Sequence, residues 1–486
     1  MDSHAARSGL HFVARMIGII HIMTIEENVP TSVGQAHDGA LAELRIMRRP
    51  ENVSEANLAE VFAVYLQGKA LHCFDDKHWY LWNGQRWQKD KQNQIILNAE
   101  AFVRLAAKMA IDAGEPDIAR RILGFLSAQK LDNLVKLAKP RLAVNLTDFD
   151  ADPMQLCVEN GVIDLATGKL LDPNPAMRHS KMAGVSYDAY ANCPRFMQFL
   201  KDIFPDDPEL LGYVRKVVGY TLTGSTKEQC LFMFLGGGAN GKSTLVNVLT
   251  KLMGDYAANT AASTLMASNS NQVGDDLIRL AGARYITAAE TEHGQRFAEA
   301  KIKSFTGGDM ISARPLYGEW VDFQPIGKIF LTTNNRPEIR GSDDGIWRRM
   351  VEVPFNRQFA ANEQDKELMA ALLQELPGIL NWAIEGCLRW QTEGLIAPQS
   401  VTASVTEYRT EMDTVCSFVA EECLVVPHER IQVGSLYQQY VNWCKSSSKQ
   451  PRTKVQFGKA LKDQGYKQMR DSNGRYWQGL SISITG

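Results

Sequence analysis

The chain has 486 residues, a length that predicts about three domains of ordinary size rather than one. Its hydrophobic content of 45% lets each domain bury a core, and its formal net charge of −2 excludes a uniformly basic nucleic-acid-binding protein. Any contact with nucleic acid must therefore come from local basic patches.

The cysteines and the apolar segments limit the cellular setting. The eight cysteines are scattered and form no Cys-x-x-Cys pair, which argues against a zinc ribbon and against a disulfide framework. The apolar stretch from Phe12 to Met23 is shorter than a bilayer span and contains Arg15. We therefore expect a cytoplasmic protein with reduced thiols and no membrane partner.

The residue composition of the chain changes near residue 56. Residues 1–55 predict a flexible N-terminal segment because they are rich in polar and turn-forming residues. Residues 56–190 predict a mixed α/β domain. Within it, aromatic strands on either side of Asn83-Gly84 predict a hairpin with a type I′ turn.

A phosphate-binding loop follows the next strongly apolar segment. The run Leu231–Leu235 is typical of a strand buried on both faces. The following residues match the pattern Gly-x-x-x-x-Gly-Lys-Ser/Thr without deviation. They are Gly236, Gly237, Gly238, Ala239, Asn240, Gly241, Lys242 and Ser243, and Thr244 continues into a helix.

Each residue type in this loop suits a triphosphate. Glycines let backbone N–H groups point at phosphate oxygens, and the N-terminus of the following helix favours an anion. Lys242 supplies a positive charge to the β- and γ-phosphates, and the Ser243 hydroxyl can ligate Mg²⁺. A chance glycine-rich turn is the bland alternative, but the flanking strand and helix argue against it.

Two carboxylates follow a later apolar strand. Residues 283–289 predict a strand that ends in Glu290-Thr291-Glu292. Carboxylates at such a strand end can hold the Mg²⁺ shell and activate the attacking water. We assign Glu290 to the metal and Glu292 to the base. The exchanged roles are one alternative, and a solvent-exposed strand end without a catalytic role is another.

A third apolar strand and an arginine pair complete the candidate catalytic set. Residues 327–332 predict a strand that leads to Asn334, whose amide can orient water against the γ-phosphate, with Asn335 as the alternative. Arg348, or its neighbour Arg349, can reach the γ-phosphate of an adjacent subunit and stabilise transition-state charge. Paired arginines are also common as solvated or ion-paired residues.

The order of these elements resembles one known family. Four elements occur close together, namely the phosphate loop, the Glu-x-Glu segment, Lys303–Asp309 and Thr333-Asn334. This order is similar to that of superfamily 3 helicases, and most similar to the virus and plasmid primase–helicases of the satellite-phage and poxvirus kind. Upstream, Val158–Leu165 and Cys193-Pro194 resemble the domain that leads into the helicase core of that family.

The resemblance implies an AAA+ core, placed at residues 191–395, that uses ATP and Mg²⁺ and assembles as a hexameric ring around single-stranded DNA. Members often carry a primase domain ahead of this region. Because only a short polar segment precedes residue 57, we expect the helicase part without a primase domain, and any primase as a separate partner.

The resemblance also implies residues that contact DNA. A hairpin before the third strand lines the pore in this family, and residues 310–314 and 320–323 correspond to its strands. Near its tip, Arg314 is the candidate for a phosphate contact and Tyr317 for stacking on a base. Lys303, which matches the lysine of the family before a Gly-Gly pair, is a second phosphate-contact candidate; an exposed helix lysine is the bland alternative.

Residues 400–486 predict a winged-helix-like domain. Helical patterns followed by a hairpin signal occur in the order of that module, at 401–415, 433–443, 453–464 and 466–478. Basic side chains on one helix favour contact with a duplex backbone, namely Lys454, Lys459 and Lys462. A solvated helix face is the alternative.

These features favour an ATP-dependent DNA helicase or translocase in the replication of a phage, plasmid or integrated mobile element. Family resemblance gives the direction 3′ to 5′, with single-stranded and forked DNA as partners. An ATP-gated origin-binding or scaffold protein without unwinding activity is the alternative. A small-molecule P-loop kinase is a third class, against which the Glu-x-Glu segment and the basic C-terminal domain argue.

Overall fold

The computed structural model describes most of the chain after the first 52 residues. The described ranges are 53–205, 207–267, 277–289, 294–313, 320–340, 344–447, 449–472 and 474–482. Four residues predicted to act in the site or on DNA lie outside these ranges: Glu290, Glu292, Arg314 and Tyr317. The predicted flexible segment also lies outside them, except for its last residues.

The chain forms two compact units. The first comprises the described residues up to Asp164 together with Lys169–Tyr187, and the second comprises Leu165–Gly168 and the described residues from Asp188 onward. The predicted domain limits of 56–190, 191–395 and 400–486 stay predictions.

The first unit combines a helical core with two small sheets. Its helices are α1 Glu55–Tyr65, α2 Gln94–Asp112, α3 Pro116–Leu123 and α4 Ala128–Ala138. Its strands are β1 Ala70–Cys73, β2 His78–Trp82, β3 Trp87–Lys89, β4 Ala143–Val144, β5 Gln155–Val158, β6 Gly161–Asp164 and β7 Lys169–Leu171. The sheet orders are β3-β2-β1-β4 and β5-β6-β7. Buried residues from all four helices share one apolar core, as their helical spacing predicts.

The predicted aromatic hairpin exists, but its predicted turn type is wrong. Trp82 pairs with Trp87, so the loop has four residues instead of two. Gly84 has a positive φ of 92°, whereas a type I′ turn needs positive φ at both central positions. The Asn83 side chain instead accepts hydrogen bonds from the N–H groups of Gln85 and Arg86, at 3.0 and 2.8 Å.

The core of the second unit is a parallel sheet. Its strands are β8 Leu231–Leu235, β9 Ala257–Ala261, β10 Tyr285–Ala289, β13 Lys328–Thr333 and β14 Met350–Pro354. The order is β14-β8-β13-β10-β9, and every neighbouring pair is parallel. Consecutive residues of β8 and β13 are buried, which explains their unbroken apolar sequences. β8 comes first of these strands in the chain but lies between the last two, β13 and β14, so the crevice at its carboxyl end is a topological switch point, where ligands bind in such sheets.

Helices and a hairpin surround this sheet. The helices among the described residues are α5 Pro194–Ile203, α6 Pro208–Leu222, α7 Lys242–Met253, α8 Glu299–Gly307, α9 Asp344–Trp347, α10 Leu368–Gln374, α11 Leu376–Glu393 and α12 Gln399–Met412. The hairpin strands are β11 Ile311–Ala313 and β12 Val321–Phe323, which pair antiparallel as predicted.

The C-terminal part of this unit has its own core. Its elements are α13 Thr414–Glu422, β15 Cys423–Gln432, α14 Val433–Ser446, α15 Lys454–Asp463, β16 Lys467–Asp471 and β17 Gly474–Ile482. The antiparallel sheet has the order β15-β17-β16. The helices and this sheet share one buried core, which includes Phe418, Tyr440, Phe457 and Trp477. Three helices and a terminal hairpin follow one another here, in the order of the predicted winged-helix-like module, and we call residues 414–482 the C-terminal module.

The predicted fold class is therefore confirmed: the chain is a mixed α/β protein with a parallel sheet in its second unit. Within the described ranges, no helix combines the length and the apolar character that crossing a membrane requires.

Candidate nucleotide-binding site

The predicted phosphate loop joins the buried strand β8 to the helix α7. Backbone φ is positive at Gly238, Ala239 and Gly241, with values of 95°, 47° and 83°. Successive positive φ values turn the chain back on itself and let N–H groups face a common point, as an anion site requires. Lys242 is the first residue of α7, so the positive end of the helix dipole faces the loop.

Neighbouring chain segments hold the loop in place. The Gly236 N–H donates to the Thr333 carbonyl at 3.3 Å, and the Phe359 N–H donates to the Ala239 carbonyl at 2.7 Å. The buried Asn240 side chain donates to the Phe355 carbonyl at 3.4 Å. The loop is therefore held in place by the last residue of β13 and by the segment that follows β14.

Gly236 occupies a position without room for a side chain. A Cβ there would lie 2.4 Å from Asn240 Nδ2 and 2.5 Å from the Phe355 carbonyl oxygen. Next to it, a Cβ on Gly237 would meet nothing within 4 Å. Position 236 therefore has no room for a side chain, whereas the backbone at Gly237 is accessible to a ligand.

Replacing Gly236 by alanine is expected to weaken ATP binding on the order of tenfold or more, because the added methyl group displaces Asn240 and the Phe355 backbone. Titration with a fluorescent ATP analogue measures this loss. Gly237→Ala is the matched control and is expected to leave the fold unchanged. Equal affinities of Gly236→Ala and the wild type would show that the fastening of the loop does not matter.

Lys242 and Asn334 meet at the centre of the site. The Lys242 ammonium group donates to the Asn334 amide oxygen at 3.2 Å and to the Gly236 carbonyl. Only 6% of Lys242 is exposed, and burial lowers the pKa of its ammonium group below the ordinary value. A nearby anionic phosphate would favour the charged form of this lysine. Ser243 is exposed beside it in the first turn of α7, and Thr244 is half-buried.

The meeting of these residues follows from strand register. Thr333 pairs with Leu235, and Ala289 pairs with Thr332, so β8, β13 and β10 end at the same edge of the sheet. Asn334 follows β13 and Glu290 follows β10 in the sequence. The donor set of this edge, with a lysine, a serine hydroxyl and backbone N–H groups, fits a triphosphate with Mg²⁺.

The two candidate arginines differ sharply in their surroundings. Arg349 is buried and donates to Thr306 Oγ1 at 3.1 Å, to the Gly345 carbonyl at 2.6 Å and to Gln229 Oε1 at 3.3 Å. Arg348 is exposed and donates to Gln229 Oε1 at 3.2 Å. Arg349 thus fastens the turn before β14, while Arg348 points to the surface.

Arg348 lies at the opposite edge of the sheet from the phosphate loop. The Arg349 carbonyl accepts a hydrogen bond from the N–H of Leu231, the first residue of β8, at 2.7 Å. At about 3.3 Å per residue, the four steps along β8 from Leu231 to Leu235, the residue before the loop, span about 13 Å. Arg348 is therefore poorly placed to act on a nucleotide of its own chain.

Four of the predicted DNA-contact residues lie in the described ranges. Lys303 is a half-buried residue of α8. Lys454, Lys459 and Lys462 are exposed on α15, whose Phe457, Ala460 and Leu461 face the core.

Sequence reasoning missed Arg336, which lies two residues after Asn334. It forms a bidentate ion pair with the completely buried Glu352 of β14, with a shortest N–O distance of 2.7 Å. A lone glutamate inside an apolar strand was the available signal, because a buried carboxylate needs a partner.

Two family models match the chain: "D5 N terminal like" over residues 59–205 and "family of unknown function (DUF5906)" over residues 234–349. Over 330 residues the chain is 29% identical to "Putative helicase L207/L206" of Acanthamoeba polyphaga mimivirus, covering 62% of this chain and 34% of the relative. Over 223 residues it is 24% identical to "Putative primase C962R" of African swine fever virus, covering 44% and 23%.

Together these matches support a relationship to the phage and viral primase–helicases. It matches about a third or less of the length of these viral relatives, at 34% and 23%. Among solved structures, the apo form of the NrS-1 C-terminal region has 10% sequence identity and a TM-score of 0.48, covering 88% of this chain and all of that chain.

Proposed function

We propose that this chain is an ATP-dependent DNA helicase or translocase that works in the replication of a phage, plasmid or integrated mobile element. One observation carries the proposal. The Lys242 ammonium group, at the start of α7, donates a hydrogen bond to the amide oxygen of Asn334, which follows β13, at 3.2 Å. The two side chains meet beside a loop whose backbone suits phosphate groups. Such a pairing of a phosphate-binding lysine with a water-orienting amide suits hydrolysis. The helicase and primase names of the viral relatives support DNA as the substrate.

ATP binding in this proposal uses the loop and the start of α7. Backbone N–H groups of residues 237–243 surround the phosphates, and Lys242 exchanges its amide and carbonyl partners for β- and γ-phosphate oxygens. The Ser243 hydroxyl and Glu290 are the proposed Mg²⁺ ligands. When bound, Mg²⁺ would neutralise charge on the phosphates.

Hydrolysis then needs an oriented water and a base. The water oxygen attacks the γ-phosphorus, the bond from this phosphorus to the β–γ bridging oxygen breaks, and the water proton passes to Glu292. Asn334 orients the water, and the products are ADP and inorganic phosphate. Arg348 of a neighbouring subunit would stabilise the charge on the transferred group, which agrees with its exposed position far from its own loop.

The dependence on a neighbour favours a closed ring, and we propose a hexamer that moves 3′ to 5′ along one strand. A separate primase would supply primers. In the ring, the tip of the β11–β12 hairpin with Arg314 and Tyr317, together with Lys303, would contact the single strand. The C-terminal module would bind the duplex ahead of the fork.

Replacing Lys454 and Lys459 together by alanine is expected to weaken duplex binding and to flatten its salt dependence. The logarithmic salt slope should fall by about 1 for each lost phosphate contact. Fluorescence anisotropy at several salt concentrations measures both effects. Lys251→Ala with Lys366→Ala, two exposed lysines outside the module, is the control for charge alone. An affinity unchanged from the wild type would mean that α15 is not a DNA-binding helix.

A forked-duplex assay tests the proposed function. Strand separation is expected with ATP and is expected to disappear with a non-hydrolysable analogue. Binding of the fork without strand separation under both conditions would favour the ATP-gated scaffold. ATP hydrolysis that no DNA stimulates would contradict a DNA-dependent motor.

A further inference from the structure

Helix α12 joins the sheet core to the C-terminal module without a flexible linker. Asp413 follows α12 directly and also caps α13, because its carboxylate accepts hydrogen bonds from the N–H groups of Val415 and Cys416 at 3.2 and 3.3 Å. The same carboxylate forms an ion pair with Arg452 at 3.3 Å, one residue before the capping residue of α15. A rotation of the C-terminal module must therefore act on α12.

Just before this junction, the C-terminal half of α12 holds the turn that carries Asn334. Arg336 of this turn forms ion pairs with Glu407 at 3.1 Å and Glu411 at 2.9 Å, both on α12. Since Arg336 also binds Glu352 of β14, one guanidinium group connects the sheet, the Asn334 turn and α12. We call Arg336, Glu352, Glu407 and Glu411 the arginine clamp.

Within the arginine clamp, the Arg336–Glu352 pair is largely shielded from water. The side chains of Glu352 and Arg336 are 0% and 12% exposed. Burial by itself lowers the pKa of Arg336, but hydrogen bonds to its three glutamates outweigh burial and hold this pKa above the ordinary value. Two hydroxyl groups of α12 add to it, because Ser404 donates to Glu352 and Tyr408 donates to the Pro337 carbonyl.

The same helix also holds the turn that carries Arg348. Arg409 of α12 forms an ion pair with Asp344 at 2.8 Å. The Tyr408 ring meets the Trp347 ring edge to face, with centroids 5.2 Å apart. Arg348 follows Trp347, so α12 contacts the turns that carry two of the proposed hydrolysis residues, Asn334 and Arg348.

We propose that α12 couples duplex binding by the C-terminal module to ATP turnover. It does so by setting the position of the Asn334 turn through the arginine clamp and the position of the Arg348 turn through Arg409 and Tyr408. Arg336 is a positioning residue in this scheme, since it acts through Asn334 and not on the nucleotide. The inference rests on the proposed function.

The test uses Glu407→Gln with Glu411→Gln in the full chain. These exposed glutamates leave the buried Arg336–Glu352 pair intact, so the fold should survive. We expect duplex-stimulated kcat to fall at least threefold, while the basal rate, the KM for ATP, the duplex affinity and the Tm stay as in the wild type. Glu385→Gln with Glu393→Gln is the matched control, because these residues are also exposed and ion-paired, with Arg215 and Lys216.

Undiminished stimulation in the Glu407→Gln/Glu411→Gln protein overturns the coupling role of α12 and leaves the proposed function standing. A wild type that unwinds no fork and shows no stimulation by DNA removes the proposed function and the coupling together. The two failures are therefore distinguishable from the wild type alone.

Arg336 itself provides a second, independent test. Arg336→Lys keeps the charge, and we expect it to retain more kcat than Arg336→Gln, with the KM for ATP unchanged in both. Partial rescue of kcat at constant KM supports a positioning role. Equal losses in both variants, with KM and Tm altered to the same degree, would assign Arg336 to stability alone and overturn its positioning role.

Discussion

Replacing Lys242 by alanine is expected to stop ATP turnover, with kcat falling on the order of a hundredfold or more, since the variant loses the main positive charge of a preorganised site. In the structure this ammonium group reaches the Asn334 amide at 3.2 Å, so its removal also leaves the water-orienting side chain without its partner. Release of inorganic phosphate at saturating ATP and Mg²⁺ measures the effect.

Lys251→Ala provides the control for Lys242→Ala. It removes an exposed lysine from the last turn of the same helix, away from the loop. We expect this variant to hydrolyse ATP as the wild type does. Normal turnover by Lys242→Ala, with Lys251→Ala unaffected, would mean that the loop does not hold the reacting phosphates.

Replacing Arg348 by alanine is expected to leave nucleotide binding intact and to lower kcat by about a thousandfold, the smaller of the effects known for arginines supplied in trans. The reason is its position: Arg348 is exposed, and its neighbour Arg349 is hydrogen-bonded to Leu231 at the start of β8, about 13 Å along this strand from the end that leads into the loop, at about 3.3 Å per residue. Titration with an ATP analogue and phosphate release separate the two effects.

Mixing provides the sharper form of the Arg348 test. Arg348→Ala protein combined with Lys242→Ala protein should regain some activity, because a mixed ring pairs an intact loop with an intact arginine. Arg389→Ala, which removes another exposed arginine of the same unit, should hydrolyse normally alone. Normal hydrolysis by Arg348→Ala would refute the role of Arg348, and mixtures without recovered activity would count against sites shared between subunits.

The parts of the site that sequence predicted are those with local physical causes. The run Leu231–Leu235 predicted a buried strand because all five side chains are apolar. The glycines that follow it matched the phosphate-loop pattern. Strand register then brings Asn334 to Lys242, which follows from all neighbouring strands being parallel. The carboxyl ends of such strands meet at one edge, so this meeting was predictable once the strands were identified.

The features that sequence did not predict depend on tertiary contacts. The hairpin loop at Asn83-Gly84 has four residues and not the predicted two, because the last strand pair is Trp82 with Trp87, whose ring centroids lie 5.7 Å apart. The predicted helix over 401–415 divides at Asp413, whose side chain caps a new helix. Arg336 and Glu352 are 16 residues apart in the sequence, and no helix or strand periodicity predicts that they form an ion pair.

The central claim is most directly tested by an electron cryomicroscopy map of the protein with a non-hydrolysable ATP analogue, Mg²⁺ and forked DNA. The account predicts closed rings that hold the analogue in the 236–243 loop, with Asn334 beside its γ-phosphate, Arg348 of the adjacent subunit opposite, and one DNA strand in the pore. Single chains with no nucleotide in that loop, or an analogue remote from Asn334, would contradict it.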